Sequence, residues 1–252
     1  MTLYEARRFK MYPTEAAAVV MARVIEMILL ITFWLLVAKY ATNSTIVPSQ
    51  IISYYLIING ITTFFFTQLG IGSLIIRAVK SGYLNQILIL PINPLVVPWS
   101  QRAGRNGLGL IIGAIQIVIG VVLAGGLPTT MLPYAPLILF NTIVLNLAFN
   151  FIVGTFAFYL GEASGIKNAT VSIYNLCGGL LIPLFLMPVS VANYLQYTPF
   201  PAAQYHMAIL LQGTYSIDVK YIVIGFFWSF VVMGFALWFW KISLRRYEAI
   251  GI

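Results

Sequence analysis

The sequence predicts an all-α polytopic membrane protein with six transmembrane helices and with both termini in the cytoplasm. Hydrophobic residues make up 61% of the 252-residue chain and charged residues only 8%, which is too few to cover the surface of a soluble domain. The apolar residues form runs near the roughly 20 residues that a helix needs to cross a bilayer. With the N-terminus inside, only Lys39 and Lys220 of the fourteen Lys and Arg residues lie outside, which is the asymmetry that membrane proteins favour.

The composition also excludes several classes of function. The net charge of +8 would indicate nucleic acid binding in a soluble domain. Here the cations lie at the ends of apolar runs, so we expect a lipid bilayer and no nucleic acid as partner. The single cysteine, Cys177, excludes an internal disulfide bond and a cysteine-built metal site. We therefore treat residues 1–252 as one transmembrane domain.

The spans follow in order from the apolar runs. Residues 1–15 mix cations with aromatic residues, which is typical of a cytoplasmic interfacial segment. Arg23 and Glu26 share a helical face near the start of the first span, where an ion pair is the simpler interpretation and a substrate contact the alternative. The six spans are predicted at residues 16–38, 51–76, 108–124 and 134–160, from Ile173 onward, and at residues 221–242.

Small and polar residues recur along one face of three spans. Gly109 and Gly113 have the spacing that lets two helices approach closely, and asparagines such as Asn146 commonly form hydrogen bonds between membrane helices. Packing is the simpler interpretation of these faces, and the lining of a translocation path is the alternative. The candidate path residues are Asn59, Thr63, Thr67, Gln116, Asn146 and Asn150.

A basic segment between the second and third spans, residues 77–106, is called the elbow below. It carries Arg77, Lys80, Arg102 and Arg105 but no acid, and its apolar middle is interrupted by prolines. Periodicity leaves two interpretations open. The elbow either offers a short apolar helix to a partner outside the chain or lies on the lipid surface.

The region after the start of the fifth span is broken by glycine and proline. Gly178, Gly179 and Pro183 predict an interrupted helix, because proline removes a backbone donor and clashes with the preceding turn. Residues 193–216 are apolar and aromatic but again contain prolines. We predict a re-entrant hairpin there that dips into the membrane from outside, with four residues of interest: Pro199, Phe200, Tyr205 and His206.

Motifs for catalysis are missing from the sequence. It contains no GxxxxGK[ST] phosphate loop, no HExxH and no GxSxG, so we expect no catalytic residues, no metal site and no ATP hydrolysis by this chain. Its six acids are scattered, whereas ion-coupled transporters place acids within the membrane. If the protein moves a substrate, the energy is expected to come from another subunit.

Four short motifs, taken in order, resemble one known family. The chain is similar to the membrane subunits of type-2 ABC exporters, in particular to six-span bacterial permeases of the viologen or drug exporter kind. The chain departs from the family in lacking a proline near Met207 and in having Ile252 where a second glycine is common. The motifs are SGYL with LPINPL at residues 81–84 and 90–95, GGLLIP with MP at residues 178–183 and 187–188, TPF at residues 198–200, and RRYEAIG at residues 245–251.

The resemblance implies a transporter driven by partner subunits. Two permeases, identical or sister chains, would carry two cytoplasmic ABC ATPase subunits that hold the ATP and Mg²⁺, in the bacterial cytoplasmic membrane. The elbow would dock into the ATPase, and the hairpin would close the outward exit. The residues implied in coupling are Tyr83, Leu84, Ile87, Leu88, Leu90, Pro91 and Pro94.

The function that follows is the export of an unidentified substrate, of amphipathic or lipid-like character, by a permease whose motor is a separate ATPase. One alternative is a membrane scaffold or immunity-type protein that works without an ATPase. A secondary transporter is a further alternative, which the scarcity of intramembrane acids disfavours.

Overall fold

The computed structural model describes residues 13–40, 47–65, 70–89, 91, 94, 96–105, 107–127, 131–160 and 163–247. Most of these residues are helical, and no β-strand occurs in these ranges. Short 3-10 turns, Leu132–Tyr134 and Phe156–Phe158, flank the seventh α-helix. The α-helices in chain order are α1 Pro13–Tyr40, α2 Pro48–Phe64, α3 Gly70–Lys80, α4 Tyr83–Leu88, α5 Val96–Arg105, α6 Gly107–Ala124, α7 Ala135–Thr155, α8 Ser164–Cys177, α9 Val189–Gln196, α10 Pro199–Ala203, α11 Tyr205–Gln212 and α12 Val219–Leu244.

Two helical stretches of the described chain, Leu132–Phe158 and Val219–Leu244, are long and apolar enough to cross a membrane by length and composition. Two shorter apolar stretches, Val24–Val37 and Gly109–Ala124, lie within the first and third predicted spans. The all-helical class is therefore confirmed for the described residues. The six spans and the cytoplasmic position of both termini stay predictions, and most of the interfacial segment 1–15 lies outside the described residues.

The second span is predicted as one helix over residues 51–76, but the structure has two helices there, α2 and α3. The start of α3 is held by Asn150 of α7, whose Oδ1 accepts hydrogen bonds from the backbone amides of Ile71 and Gly72, both at 3.0 Å. The first amides of a helix have no acceptor within that helix, so a side chain from α7 takes the role of a cap. Periodicity within residues 51–76 cannot reveal an acceptor that comes from so far along the chain.

Helix α8 begins at Ser164, earlier than Ile173, where the sequence predicts the start of the fifth span. Its first turns carry exposed polar side chains, which is why they lack the hydrophobicity of a span. The predicted interruption is confirmed, because α8 ends at Cys177 and is followed by Gly179 with φ +85°, a conformation that favours glycine.

Helices α2 and α6 pack against each other through glycine. A Cβ on Gly113 would lie 2.7 Å from the carbonyl oxygen of Gly60, and a Cβ on Gly120 would lie 2.6 Å from Cγ1 of Ile57. Two helices can approach this closely only at glycine, which carries a hydrogen atom in place of a side chain. The packing interpretation of this face of α6 is therefore confirmed at Gly113 and Gly120.

Helix α7 packs against both α3 and α12. It contacts α3 through Gly154, where an added Cβ would lie 2.8 Å from Cβ of Ile75. It is joined to α12 by Asn141, whose Nδ2 donates to the carbonyl of Ile222 at 3.2 Å and whose Oδ1 accepts from the hydroxyl of Ser229 at 3.0 Å. Helix α7 thus links the helix that enters the elbow to the last helix of the chain.

Candidate functional site

The elbow begins with a tight turn after α3. The amide of Ser81 donates to the carbonyl of Arg77 at 2.9 Å, and the amide of Gly82 donates to the carbonyl of Val79 at 3.2 Å. Gly82 has φ +71°, in the left-handed region where any other side chain is strained. The glycine of the SGYL motif therefore ends α3 and lets the chain turn into α4.

The short helix α4 has one buried face and one exposed face. Leu84 and Ile87 are 2% and 1% exposed and belong to the hydrophobic core of the chain itself. Leu88, by contrast, is 38% exposed, and Ile89 just after the helix is 83% exposed. Tyr83 is also exposed. The exposed apolar and aromatic side chains of α4 and its end are therefore Tyr83, Leu88 and Ile89, while Leu84 and Ile87 hold the helix to the core.

The other predicted coupling residues lie in the chain that joins α4 to α5. Pro91 is exposed and Pro94 is partly buried, whereas Leu90 lies outside the described residues. Pro98 does not interrupt the elbow as the sequence predicts, because it lies in the first turn of α5, where a missing amide donor costs no intrahelical hydrogen bond. The coupling role of all these residues stays a prediction.

Two of the predicted path residues, Asn146 and Asn150, are buried in hydrogen bonds between helices. Nδ2 of Asn146 donates to the carbonyls of Thr142 and Ala203 at 2.7 and 2.8 Å, and its Oδ1 accepts from the hydroxyl of Tyr174 at 2.6 Å. Nδ2 of Asn150 donates to the carbonyl of Asn146 at 2.8 Å, and its Oδ1 caps α3. These are the bonds that the packing interpretation expects, and a role in lining a path stays a prediction.

The remaining path residues lie on α2 and α6. Asn59 is partly buried and its Nδ2 donates to the carbonyl of Tyr55 at 3.0 Å. Thr63 is also partly buried, and Thr67 lies outside the described residues. Nε2 of Gln116 donates to Sδ of Met27 in α1 at 3.6 Å, while its buried Oε1 has no hydrogen-bond partner. A role of these residues in lining a path stays a prediction.

The predicted hairpin, residues 193–216, consists of short helices rather than two long arms. Pro199 opens α10, and Phe200 stacks on Phe149 of α7 with ring centroids 5.5 Å apart. Tyr205 and His206 begin α11 and are buried, and Nε2 of His206 lies 2.7 Å from Oε1 of Gln196. Pro199 therefore lies at the break between α9 and α10, whereas Pro201 lies within α10 and the break between α10 and α11 is at Gln204. The re-entrant position in a membrane stays a prediction.

Sequence reasoning missed the groups that hold the broken segment after α8. The hydroxyl of Tyr54 donates to the carbonyl of Gly179 at 2.6 Å, the hydroxyl of Tyr55 donates to the carbonyl of Leu181 at 3.1 Å, and Nε1 of Trp34 donates to the same carbonyl at 2.9 Å. Carbonyls freed by an interrupted helix need such donors in an apolar setting. The sequence offered one signal for these donors, namely that Trp34, Tyr54 and Tyr55 carry N–H and O–H groups within otherwise apolar predicted spans.

At the start of α12 an acid and a base lie side by side on the surface. Oδ1 of Asp218 accepts from the amide of Lys220 at 3.0 Å and so caps the helix, and its Oδ2 lies 3.3 Å from Nζ of Lys220. The backbone amide of Lys220, followed by its ammonium group, lowers the pKa of Asp218. At the other end of α12, Lys241, Arg245 and Arg246 are exposed.

Nothing in the described part of the chain groups three His, Cys, Asp or Glu side chains in a way that would hold a metal ion.

Comparison with known families gives a match. The profile of the family described as ABC-2 family transporter protein matches residues 23–251. This range includes the elbow, α7 and the short helices α9 to α11. No curated protein matches the chain at a significant level.

Proposed function

The chain belongs to the ABC-2 family of transporter proteins, and from this premise we propose that it is the permease subunit of an ATP-driven exporter. It is a helical membrane protein of the type-2 ABC class, in which the membrane subunit and the ATPase are distinct parts. Two such permeases, as a homodimer or with a sister chain, hold two cytoplasmic ATPase subunits that bind ATP and Mg²⁺. The complex lies in the bacterial cytoplasmic membrane with six spans per permease and with all termini inside.

The observation that carries the coupling role is the two-faced helix α4. An exposed apolar pair, Leu88 and Ile89, stands on a helix that Leu84 and Ile87 fix to the core. A contiguous apolar patch that faces water marks an interaction site, and the cytoplasmic position proposed for the elbow would expose Leu88 and Ile89 to water. An amphipathic helix is a common ligand for a hydrophobic groove. The elbow is the segment that the resemblance to type-2 exporters assigns to the ATPase.

The packing of α3 explains how a displacement of the elbow would reach the membrane domain. Helix α3 runs directly into the elbow, its first amides are capped by Asn150, and its Gly72 and Ile75 lie against α7. Helix α7 in turn is bonded to α12. ATP binding would draw the two ATPase subunits together and displace the elbow. Helix α3 would transmit this displacement to α7 at the centre of the bundle, and one permease would tilt against the other.

Transport itself would take place between or along the spans. The candidate path residues are those of the polar faces, Asn59, Thr63, Thr67, Gln116, Asn146 and Asn150, and the hairpin 193–216 closes the outward exit. The substrate is of amphipathic or lipid-like character, since the chain offers polar amides and hydroxyls among apolar side chains but few charges. The export direction follows from the resemblance to type-2 exporters.

Purification from native membranes tests this function. We expect the tagged chain, extracted in mild detergent, to carry a stoichiometric partner that contains a GxxxxGK[ST] phosphate loop and to stimulate its ATP hydrolysis after reconstitution. The measurement is mass spectrometry of the complex together with the ATPase rate in proteoliposomes. A scaffold would be isolated without such a partner. A secondary transporter would continue to work after ATP depletion and stop when the ion gradient collapses. Either outcome rejects the proposal.

A further inference from the structure

The two helices of the elbow and the end of α3 enclose a cavity of about 270 Å³. This volume is slightly below the roughly 300 to 1,000 Å³ of sites for drug-sized ligands, so the cavity can hold one small polar group but not a whole large molecule. The cavity is open on one side, where Arg77, Ser81 and Tyr83 are exposed. Tyr83 belongs both to this lining and to the exposed surface of α4, whereas Leu88 and Ile89 are not among the lining residues.

The polar part of the cavity has the chemistry of an anion site. It is lined by the guanidinium of Arg77, the hydroxyls of Ser81 and Tyr83 and the amide of Gln101, and no acid is among its lining residues. Within the described chain Arg77 forms no salt bridge and no side-chain hydrogen bond. Guanidinium groups bind phosphate through paired hydrogen bonds, and hydroxyl and amide groups supply further donors at short range.

The rest of the lining is apolar. Leu74, Ala78, Ile87 and Pro98 supply this apolar part of the wall. A bare phosphate ion would leave this wall without a partner, whereas a phosphate that carries an acyl chain satisfies both halves of the cavity. An exposed tryptophan beside the cavity favours a position near the lipid headgroups. Trp99, next to Pro98, is 44% exposed, and exposed tryptophan and tyrosine are enriched at the membrane interface.

We propose that this cavity binds the phosphate headgroup of an anionic phospholipid of the inner leaflet, with Arg77 as the principal anion ligand. The proposal rests on the proposed function only for the cytoplasmic orientation of the elbow. Basic pockets between membrane helices on the cytoplasmic side bind anionic headgroups in this manner. A bound lipid would tie α5 to the end of α3 and so fix the position from which α4 meets the ATPase.

Lipid binding by the purified chain tests the proposal without any ATPase. Native mass spectrometry in detergent counts dioctanoyl phosphatidylglycerol bound per chain, with dioctanoyl phosphatidylcholine and sodium phosphate as parallel probes. We expect one phosphatidylglycerol to bind tightly, phosphatidylcholine to bind at least tenfold more weakly, and Arg77→Gln to weaken phosphatidylglycerol binding about tenfold. Arg77→Lys should retain part of the affinity because it keeps the charge.

Arg246→Gln is the matched control, since it removes a cation from an exposed position outside the cavity. If Arg77→Gln and Arg246→Gln lowered the affinity for phosphatidylglycerol equally, the loss would be explained by the general surface charge. That result would overturn the proposal. Sodium phosphate that displaces the lipid at a similar concentration would also overturn it, because the acyl chain then contributes nothing. So would an Arg77→Gln variant that keeps the lipid but loses the ATPase, since the cavity would then receive the ATPase itself. Failure of the purification from native membranes to find an ATPase partner, with lipid binding intact, would instead refute only the proposed function.

Discussion

Replacing Leu88 by aspartate is expected to abolish the stimulation of ATP hydrolysis by the permease while leaving membrane insertion and folding intact. Leu88 is 38% exposed on the outer face of α4, so a carboxylate there keeps part of its hydration in the free chain. Within an apolar ATPase groove the same carboxylate loses its hydration without gaining a partner. A central contact of this kind is worth at least about 2 kcal/mol, which corresponds to a roughly 30-fold loss of docking affinity.

Two matched variants separate the docking role from a general effect of charge. Leu88→Met keeps an apolar side chain of similar volume and should retain stimulation. Gln86→Asp places the same charge on an exposed position of the same helix that is already polar, so its effect should be much smaller. The readout is the ATPase rate of the reconstituted complex with and without the permease. Normal stimulation by Leu88→Asp would show that α4 does not enter the groove.

Gly113→Ala is expected to destabilise the packing of α2 against α6. The added Cβ would lie 2.7 Å from the carbonyl oxygen of Gly60 and 2.8 Å from the amide nitrogen of Phe64. Both atoms belong to the backbone of α2 and cannot rotate away, so α2 and α6 must separate. Overpacking of this kind typically costs about 1 to 3 kcal/mol, and here it also loosens the neighbouring contacts of Gly120.

Gly234→Ala is the control for the intrinsic preference of alanine for helices. Gly234 lies within α12 and no atom comes within 4 Å of a Cβ placed on it. Alanine favours an interior helical position over glycine by up to about 1 kcal/mol, so this variant should be neutral or slightly more stable. The measurement is the thermal unfolding midpoint of each variant in the same detergent. Equal midpoints for Gly113→Ala and Gly234→Ala would contradict close packing of α2 against α6.

Local sequence signals predicted the parts of the fold that depend on backbone chemistry. The spacing of Gly109 and Gly113 predicted a close helix–helix contact, which the structure shows at Gly113, because the absence of a side chain has the same consequence in any setting. Gly179 likewise predicted the end of α8, since its backbone conformation excludes most other residues. The close helix contact and the helix end each depend on one or two glycines, so the sequence predicts them without knowledge of the residues that pack around them.

The orientation of α4 could not be predicted in the same way. Leu84, Ile87 and Leu88 are apolar residues within a six-residue helix, so hydrophobicity alone does not say which of them faces inward. Only the position of α3 and α5 decides that Leu84 and Ile87 are buried and that Leu88 is exposed. The sequence therefore indicated the elbow as a segment but not its exposed surface.

The polar face of α7 had a similar ambiguity. Asn146 and Asn150 recur four residues apart, which predicts that they share a helical face but not what that face meets. The structure places Tyr174 and the start of α3 there. Both asparagines consequently have partners that lie far away in sequence, and no pattern local to α7 contains that information.

Site-specific crosslinking tests most directly whether a separate ATPase grips the elbow. The sequence contains one cysteine, Cys177, so Cys177→Ser provides a background free of thiols into which Ile89→Cys or Tyr194→Cys is introduced. Ile89 is 83% exposed beside α4, and Tyr194 is 73% exposed on α9, where we expect the opposite side of the membrane. With a short bis-maleimide and an ATPase that carries one cysteine in its groove, we expect Ile89→Cys to link permease to ATPase and Tyr194→Cys not to do so. A link through Tyr194→Cys, or none through Ile89→Cys in an intact complex, would contradict the account.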